Sequence, residues 1–190
     1  MTKIYFTLFA SLFFIHSSKA QNNGKELQLG VKITNDLTLY NGYAPGFGGQ
    51  VVYKMGKHGG LESGLYYESR YQAFITQVQT GPMASYYITK ITESWLQLPL
   101  LYRFDSKFIN FVIGPALDYF IGWKVKHADP GVTVNDYDRN AVRLVTSIGI
   151  SKSFDLSPTI ILEPEAKFNY FPSEDDGGLL LNISLRKRLH

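Results

Sequence analysis

The sequence predicts an all-β protein, an eight-stranded antiparallel up-and-down transmembrane β-barrel, on three observations. Apolar and polar residues alternate one by one through nearly all of the chain after its first twenty residues. The connections between these segments alternate between long and short. Bulky apolar side chains gather on one face of the segments, and small or charged ones gather on the other.

The first twenty residues, "MTKIYFTLFASLFFIHSSKA", differ from the rest. Lys3 precedes an apolar run from Ile4 to Ile15, and Ser18 and Ala20 stand at −3 and −1 of a cleavage site before Gln21. This is the pattern of a secretory signal peptide, and the run is shorter than the ~20 residues of a spanning helix. Its removal from 190 residues leaves a 170-residue barrel domain, residues 21–190. The formal charge of +3 includes Lys3 and Lys19, so the mature chain carries about +1, which gives no case for nucleic acid. With no cysteine there is neither a disulfide staple nor a lipid-anchoring thiol, so stability rests on packing and backbone pairing.

The segments follow in order. "ELQLGVKIT" (26–34) places Leu27, Leu29, Val31 and Ile33 on one face, and "GFGGQVVYKM" (46–55) places Phe47, Val51, Tyr53 and Met55. "GLESGLYYESRYQ" (60–72) presents Leu61, Leu65, Tyr67 and Tyr71; "ESWLQLPLLYRF" (93–104) presents Leu96, Leu98, Leu100, Tyr102 and Phe104. "FINFVIGPALDYFIGWK" (108–124) runs from Ile109 through Leu117 to Trp123, and "NAVRLVTSIGISK" (140–152) from Val142 to Ile150. "TIILEPEAKFNYF" (159–171) and "GLLLNISLRKRL" (178–189) complete the set. Loops 36–45, 73–85 and 125–138, with 172–178, fall at one end, and the short turns 56–60, 105–107 and 153–158 at the other. Pro99, Pro115 and Pro164 lie within strands and cannot donate to a ladder, so each calls for a bulge, a strand end or a shifted boundary.

Alternation alone fits a soluble lipocalin-like barrel as well as a membrane barrel. Side-chain size separates them. The polar face holds Gly30, Gly48, Gly64, Gly114, Gly122 and Gly149, with Ala116 and Ala141, whereas the apolar face is nearly all Leu, Ile, Val and aromatics. An eight-stranded barrel is just wide enough inside for side chains to fill. The small and charged face therefore points inward, and the bulky face meets lipid. Inward charges of both signs are tolerable only when paired. Lys32, Arg70, Arg103, Arg143 and Arg186 are thus expected to form a plug with Glu62, Glu68, Asp118, Glu163 and Glu165. Tyr53, Tyr67, Tyr71, Tyr102, Phe104, Trp123, Phe168 and Tyr170 sit towards the ends of apolar faces, where aromatic girdles belong.

The segments "GLYYESRY" (64–71), "WLQLPLLYRF" (95–104), "FVIGPALDYFIGW" (111–123) and "SIGISKSF" (147–154) resemble the PorT-like outer-membrane β-barrel family of Bacteroidetes-type Gram-negative bacteria. The resemblance implies an eight-stranded outer-membrane barrel, contact with the barrel-insertion machinery, and a link to a protein-secretion apparatus. The chain ends in "RKRLH" where such barrels often end in an aromatic residue, so Leu189 would serve instead.

No catalytic or metal constellation is legible. His58, His127 and His190 lack partners at zinc spacing. His127 stands near Asp129 with no nucleophile placed beside it. The acidic stretches 129–138 and 173–178 lack EF-hand spacing. The expectation is a non-enzymatic, cofactor-free barrel in outer-membrane lipid. Its role would be structural or interactive, through its outer loops and with a secretion-system or surface protein as partner. The alternatives are a narrow outer-membrane channel and a soluble exported ligand-binding barrel.

Overall fold

Period-two alternation needs a pleated strand to separate its two faces, and the computed structural model shows strands almost throughout. The structure describes residues 25–38, 42–80, 83–130, 132, 137 and 139–189. The expected signal peptide lies outside them. The strands are β1 (Glu26–Thr38), β2 (Gly42–Lys54), β3 (Gly59–Thr80), β4 (Met83–Phe104) and β5 (Asn110–Ala128), followed by β6 (Val142–Ser151), β7 (Phe154–Asp155), β8 (Ile160–Phe171) and β9 (Asp176–Leu189).

From β1 to β6 each strand pairs antiparallel with the next. Both β6 and β7 pair with β8, β8 pairs with β9, and β9 returns to pair with β1 from Leu27↔Leu189 to Asp36↔Leu180, which closes the sheet. β6 and β7 are one strand in physical terms. Ser151 faces Glu165, Phe154 faces Leu162 and Asp155 faces Ile161, all in one register. The interruption falls opposite Pro164, which accepts the Lys152 N–H at 3.2 Å but has no N–H to return. The ring thus has eight strands, as the sequence predicts.

The other two prolines do the same. The β3–β4 rungs lapse between Ser63↔Leu100 and Tyr66↔Gln97, beside Pro99, whose carbonyl instead accepts the Ser63 hydroxyl at 2.7 Å. The β4–β5 rungs lapse between Pro99↔Ala116 and Tyr102↔Ile113, beside Pro115. Each proline removes a rung or two without ending its strand.

The molecule is inverted relative to a water-soluble barrel. Leu98, Ile113 and Leu144 stand on the outer wall, about half exposed, while Glu68 and Arg143 are buried within. A continuous apolar wall of this extent is unstable in water and required in lipid. Two inward glycines admit a large ring. A Cβ on Gly48 would lie 2.5 Å from Tyr66 Cδ1, and one on Gly64 would lie 2.6 Å from Tyr66 Oη. Gly122 does not share this role, because a Cβ there would meet nothing within 4 Å, and Ala141 is exposed ahead of β6.

The expected loops 36–45, 73–85 and 125–138 need correction. β3 and β4 each run 22 residues and stay paired out to Thr80↔Met83, β1 and β2 pair out to Thr38↔Gly42, and β5 continues to Ala128. The apolar alternation fades at the lipid boundary, but backbone rungs do not need it.

Valine at Gly48 is predicted to cost about 1–3 kcal/mol or more by overpacking, because its Cβ also meets the Leu65 carbonyl at 2.2 Å. Valine at Gly49, one residue along and facing open space, should be tolerated. Refolding into lipid vesicles, scored by the heat-dependent gel shift, checks this: equal folded yields would show that Tyr66 does not fill this space.

Candidate functional site

Inward positions on successive strands converge in the lumen, and closure leaves their charges no partners except one another. The tightest group lies nearer the end that carries Glu26 and Leu189. Lys32 Nζ reaches Glu62 at 2.7 Å and Glu165 at 3.2 Å. Arg103 Nη1 donates to Glu62 at 3.2 Å and to Glu163 at 2.7 Å, its Nη2 also binds Glu163, and its Nε meets Asp105 at 2.6 Å. Arg186 adds a 2.5 Å contact to Glu163. The carboxylates of Glu62, Glu163 and Glu165 come within 4.8 Å of one another, close enough to share a cation. Lys32, Arg103 and Arg186 occupy that role here, so the trio forms the anionic half of an ion cluster.

A second group lies nearer the loop end. Arg70 binds Glu68 at 3.0 Å and Asp118 at 3.2 Å, and Arg143 binds Asp118 at 3.1 Å. Gln97 bridges the group by donating to Asp118 at 2.8 Å and accepting from Lys167 at 3.2 Å. All ten charges expected in the lumen are buried there. Sequence reasoning left out the aromatic surfaces between them. Arg143 lies 3.7 Å from the Trp95 ring centre and 4.2 Å from that of Phe171, which Arg70 also covers at 4.2 Å. The signal was present, since Tyr66 and Trp95 share the inward parity of Glu68 and Gln97.

Residues that the sequence placed in or beside loops reach over the mouth at the loop end. Tyr137 Oη donates to Glu93, Arg139 Nε meets Glu93 at 2.8 Å, and Glu174 accepts from Arg139 at 3.4 Å and Arg143 at 2.8 Å. Burial and the Glu93 carboxylate raise the Tyr137 phenol well above its ordinary pKa, so it remains a proton donor. Phe74, Phe120 and Trp123 surround its ring at 5.7, 6.5 and 5.6 Å. Asp129 accepts from the Ile88 backbone N–H at 2.8 Å and contacts His127 at 3.1 Å, and these two bonds, in that order, lower its carboxyl pKa.

Trp123 corrects the expected girdle. The register shift between Ser94 and Trp95 leaves Ile121 unpaired on β5 and reverses the parity beyond it. Trp123 then lies opposite the inward-facing Glu93 and packs on Tyr137 at the mouth. The other girdle residues stay on outward positions: Tyr53, Tyr102 and Phe104 towards the terminal end, and Tyr67, Tyr71, Phe168 and Tyr170 towards the loop end.

No protein-family model and no curated sequence matches the chain. Solved structures do. The N-terminal β-barrel domain of Pseudomonas aeruginosa OprF aligns over 87% of this chain and 98% of its own, at 9% identity and a TM-score of 0.53. The fold is that of an outer-membrane β-barrel. A major outer membrane protein of Thermus thermophilus (14% identity, 86% and 99% covered, TM-score 0.48) and Yersinia pestis Ail (9%, 88% and 99%, 0.46) are more distant. The apolar wall and this fold both support the expected outer-membrane location.

Replacing Glu163 by Gln leaves Arg103 and Arg186 without their shared anion in a buried site, and is predicted to cost about 3–5 kcal/mol. Replacing Arg188, whose partner Asp155 is 61% exposed, should cost less than about 1 kcal/mol. Urea unfolding from lipid vesicles measures both. Similar losses would mean that the lumen cluster is no more than a set of solvated rim pairs.

Proposed function

We propose that this chain is an outer-membrane interaction protein: its lumen is a packed plug, and its working surface is the raised β3–β4 hairpin together with the loops beside it. The observation that carries this reading is the hairpin itself. The last β2–β3 rung is Phe47↔Tyr67, and the last β4–β5 rung is Thr89↔Ala128, whereas β3 and β4 stay paired to Thr80↔Met83. Above Asp129, which still bonds the Ile88 backbone on the β4 edge, the ribbon has two edges that no strand pairs among the described residues, and Ile75, Tyr86 and Ile88 stand exposed on its outward face. Unpaired backbone edges beside exposed apolar side chains suit an extended polypeptide partner.

The termini would lie in the periplasm, with the ribbon outside, as is usual for barrels with short turns at one end and long connections at the other. The resemblance to PorT-like sequences supports a secretion apparatus or a surface protein as the partner, and insertion machinery that reads β9 through Leu189. A channel is disfavoured because the inward charges are neutralised in place by side chains on facing strands, and catalysis because, among the described residues, the hydrogen bonds of His127 and Asp129 include no hydroxyl nucleophile.

Photo-cross-linking from Ile75 and Tyr86 in intact cells should capture a discrete protein, and deleting residues 76–87 should abolish capture while the barrel still shows its heat-dependent gel shift. Planar bilayers containing the folded protein should stay silent. Stepwise conductance, or capture that persists without the ribbon, would overturn the proposal.

A further inference from the structure

The outer wall carries a group of cations that the lumen network does not use. On the outward face, Tyr71 of β3, Thr92 of β4 and Lys124 of β5 form one row, and Ala73, Lys90 and His127 form the next row towards the loop end. Lys90 and Lys124 stand on neighbouring strands in successive outward rows, where two long side chains can bring their ammonium groups to one anion. Lys126 stands in the second irregularity of β5 beside them. Among the described residues, none of these three lysines has a carboxylate within ion-pair distance. The acid nearest in register, Asp129, is taken by the Ile88 N–H and by His127.

The surroundings identify what kind of anion fits. Directly below, on the same face, Ser69, Ser94 and Gly122 form a polar step, with the Tyr67 hydroxyl 2.9 Å from Ser94 Oγ. Below that step Tyr67, Leu96 and Tyr119 begin the apolar wall, which continues through Leu98 and Leu117. Thr92 Oγ1 is covered by its neighbours and has no hydrogen-bond partner among the described residues. Cations, then hydroxyls, then hydrocarbon is the order in which a membrane lipid presents phosphate, headgroup and acyl chain. A free phosphate would meet only the first layer.

We infer that Lys90 and Lys124, with Lys126 beside them, form a binding site for the phosphate of a lipid headgroup in the leaflet at the loop end, its acyl chains lying along Leu96, Leu98 and Leu117. The site requires membrane residence but not the interaction role, so either reading can fail without the other. A cationic residue near a charged membrane surface contributes enough that removing two should weaken binding about tenfold or more.

Native mass spectrometry of the folded, detergent-solubilised barrel with bisphosphorylated lipid A tests this. The wild type should retain one lipid A, and K90Q/K124Q should bind it about tenfold more weakly, while both still show the heat-dependent gel shift. K57Q, in the turn at the opposite end, should bind as the wild type does. Phosphatidylcholine should not be retained, and inorganic pyrophosphate should displace lipid A only weakly. Equal binding by wild type and K90Q/K124Q would overturn the site. Displacement by pyrophosphate at lipid A concentrations would make it a site for soluble anions and overturn the lipid assignment.

Discussion

Closing β9 onto β1 leaves the barrel wall without an open edge below the raised hairpin, and it also confines the inward side chains to a space that they must fill between them. From that closure the rest of the interior follows. Once Glu163 is inside, a cation has to reach it from another strand, and Arg103 and Arg186 do so from β4 and β9. Once Arg70 and Arg143 are inside, Asp118 has to lie between them. These contacts tie strands far apart in sequence, so the ion network fixes the barrel's cross-section much as an apolar core fixes that of a soluble domain.

The usual driving force works differently here. Lipid-facing Leu, Ile and Val gain little from contact with one another in hydrocarbon, so their burial sets where the barrel sits more than how its interior packs. The cohesion comes from backbone rungs, which cannot be exchanged for water within a bilayer, and from charged groups whose alternative is desolvation without a partner. Rings supply the remaining packing. Trp95 and Phe171 give Arg143 two aromatic faces, and Tyr66 occupies the volume left by Gly48 and Gly64. The three prolines show how much slack this arrangement allows. Losing rungs at Pro99, Pro115 and Pro164 is tolerated because the pairs on either side hold the register.

Strand order, facing and the charged lumen were legible because parity carries them. Once Leu98 is known to face out, Gln97 and Arg103 must face in, and no folding detail can alter that within an unbroken strand. Trp123 was misread because a one-residue bulge after Phe120 breaks parity and has no clear sequence signal of its own. The heights of the strands were also hidden. Residues 73–85 contain Gln, Thr, Gly and Ser and lack the apolar alternation that marks a half-buried strand, so they read as a loop. Beyond the membrane both faces are wet, alternation loses its cause, and only backbone pairing extends the ladder. Tyr137, Arg139 and Glu174 were missed for a related reason, since a loop folding back over a mouth depends on tertiary closure that local pattern does not encode.

The cations illustrate how environment assigns roles to one kind of chemistry. Arg103 is held by carboxylates from β3 and β8 and has no freedom to serve anything else. Arg139, at the mouth, shares Glu93 with a tyrosine and Glu174 with Arg143, in a position 21% exposed, where water can compete for it. Lys90 and Lys124 stand outside the wall with no carboxylate within ion-pair distance among the described residues. Like charges left adjacent and unpaired repel one another, so their juxtaposition carries a cost that the lumen pairs do not. In a protein that neutralises its interior cations strand by strand, that cost makes sense where the neutralising charge comes from outside the chain. At the edge of a lipid-facing wall, the surrounding membrane is the nearest source of such a charge.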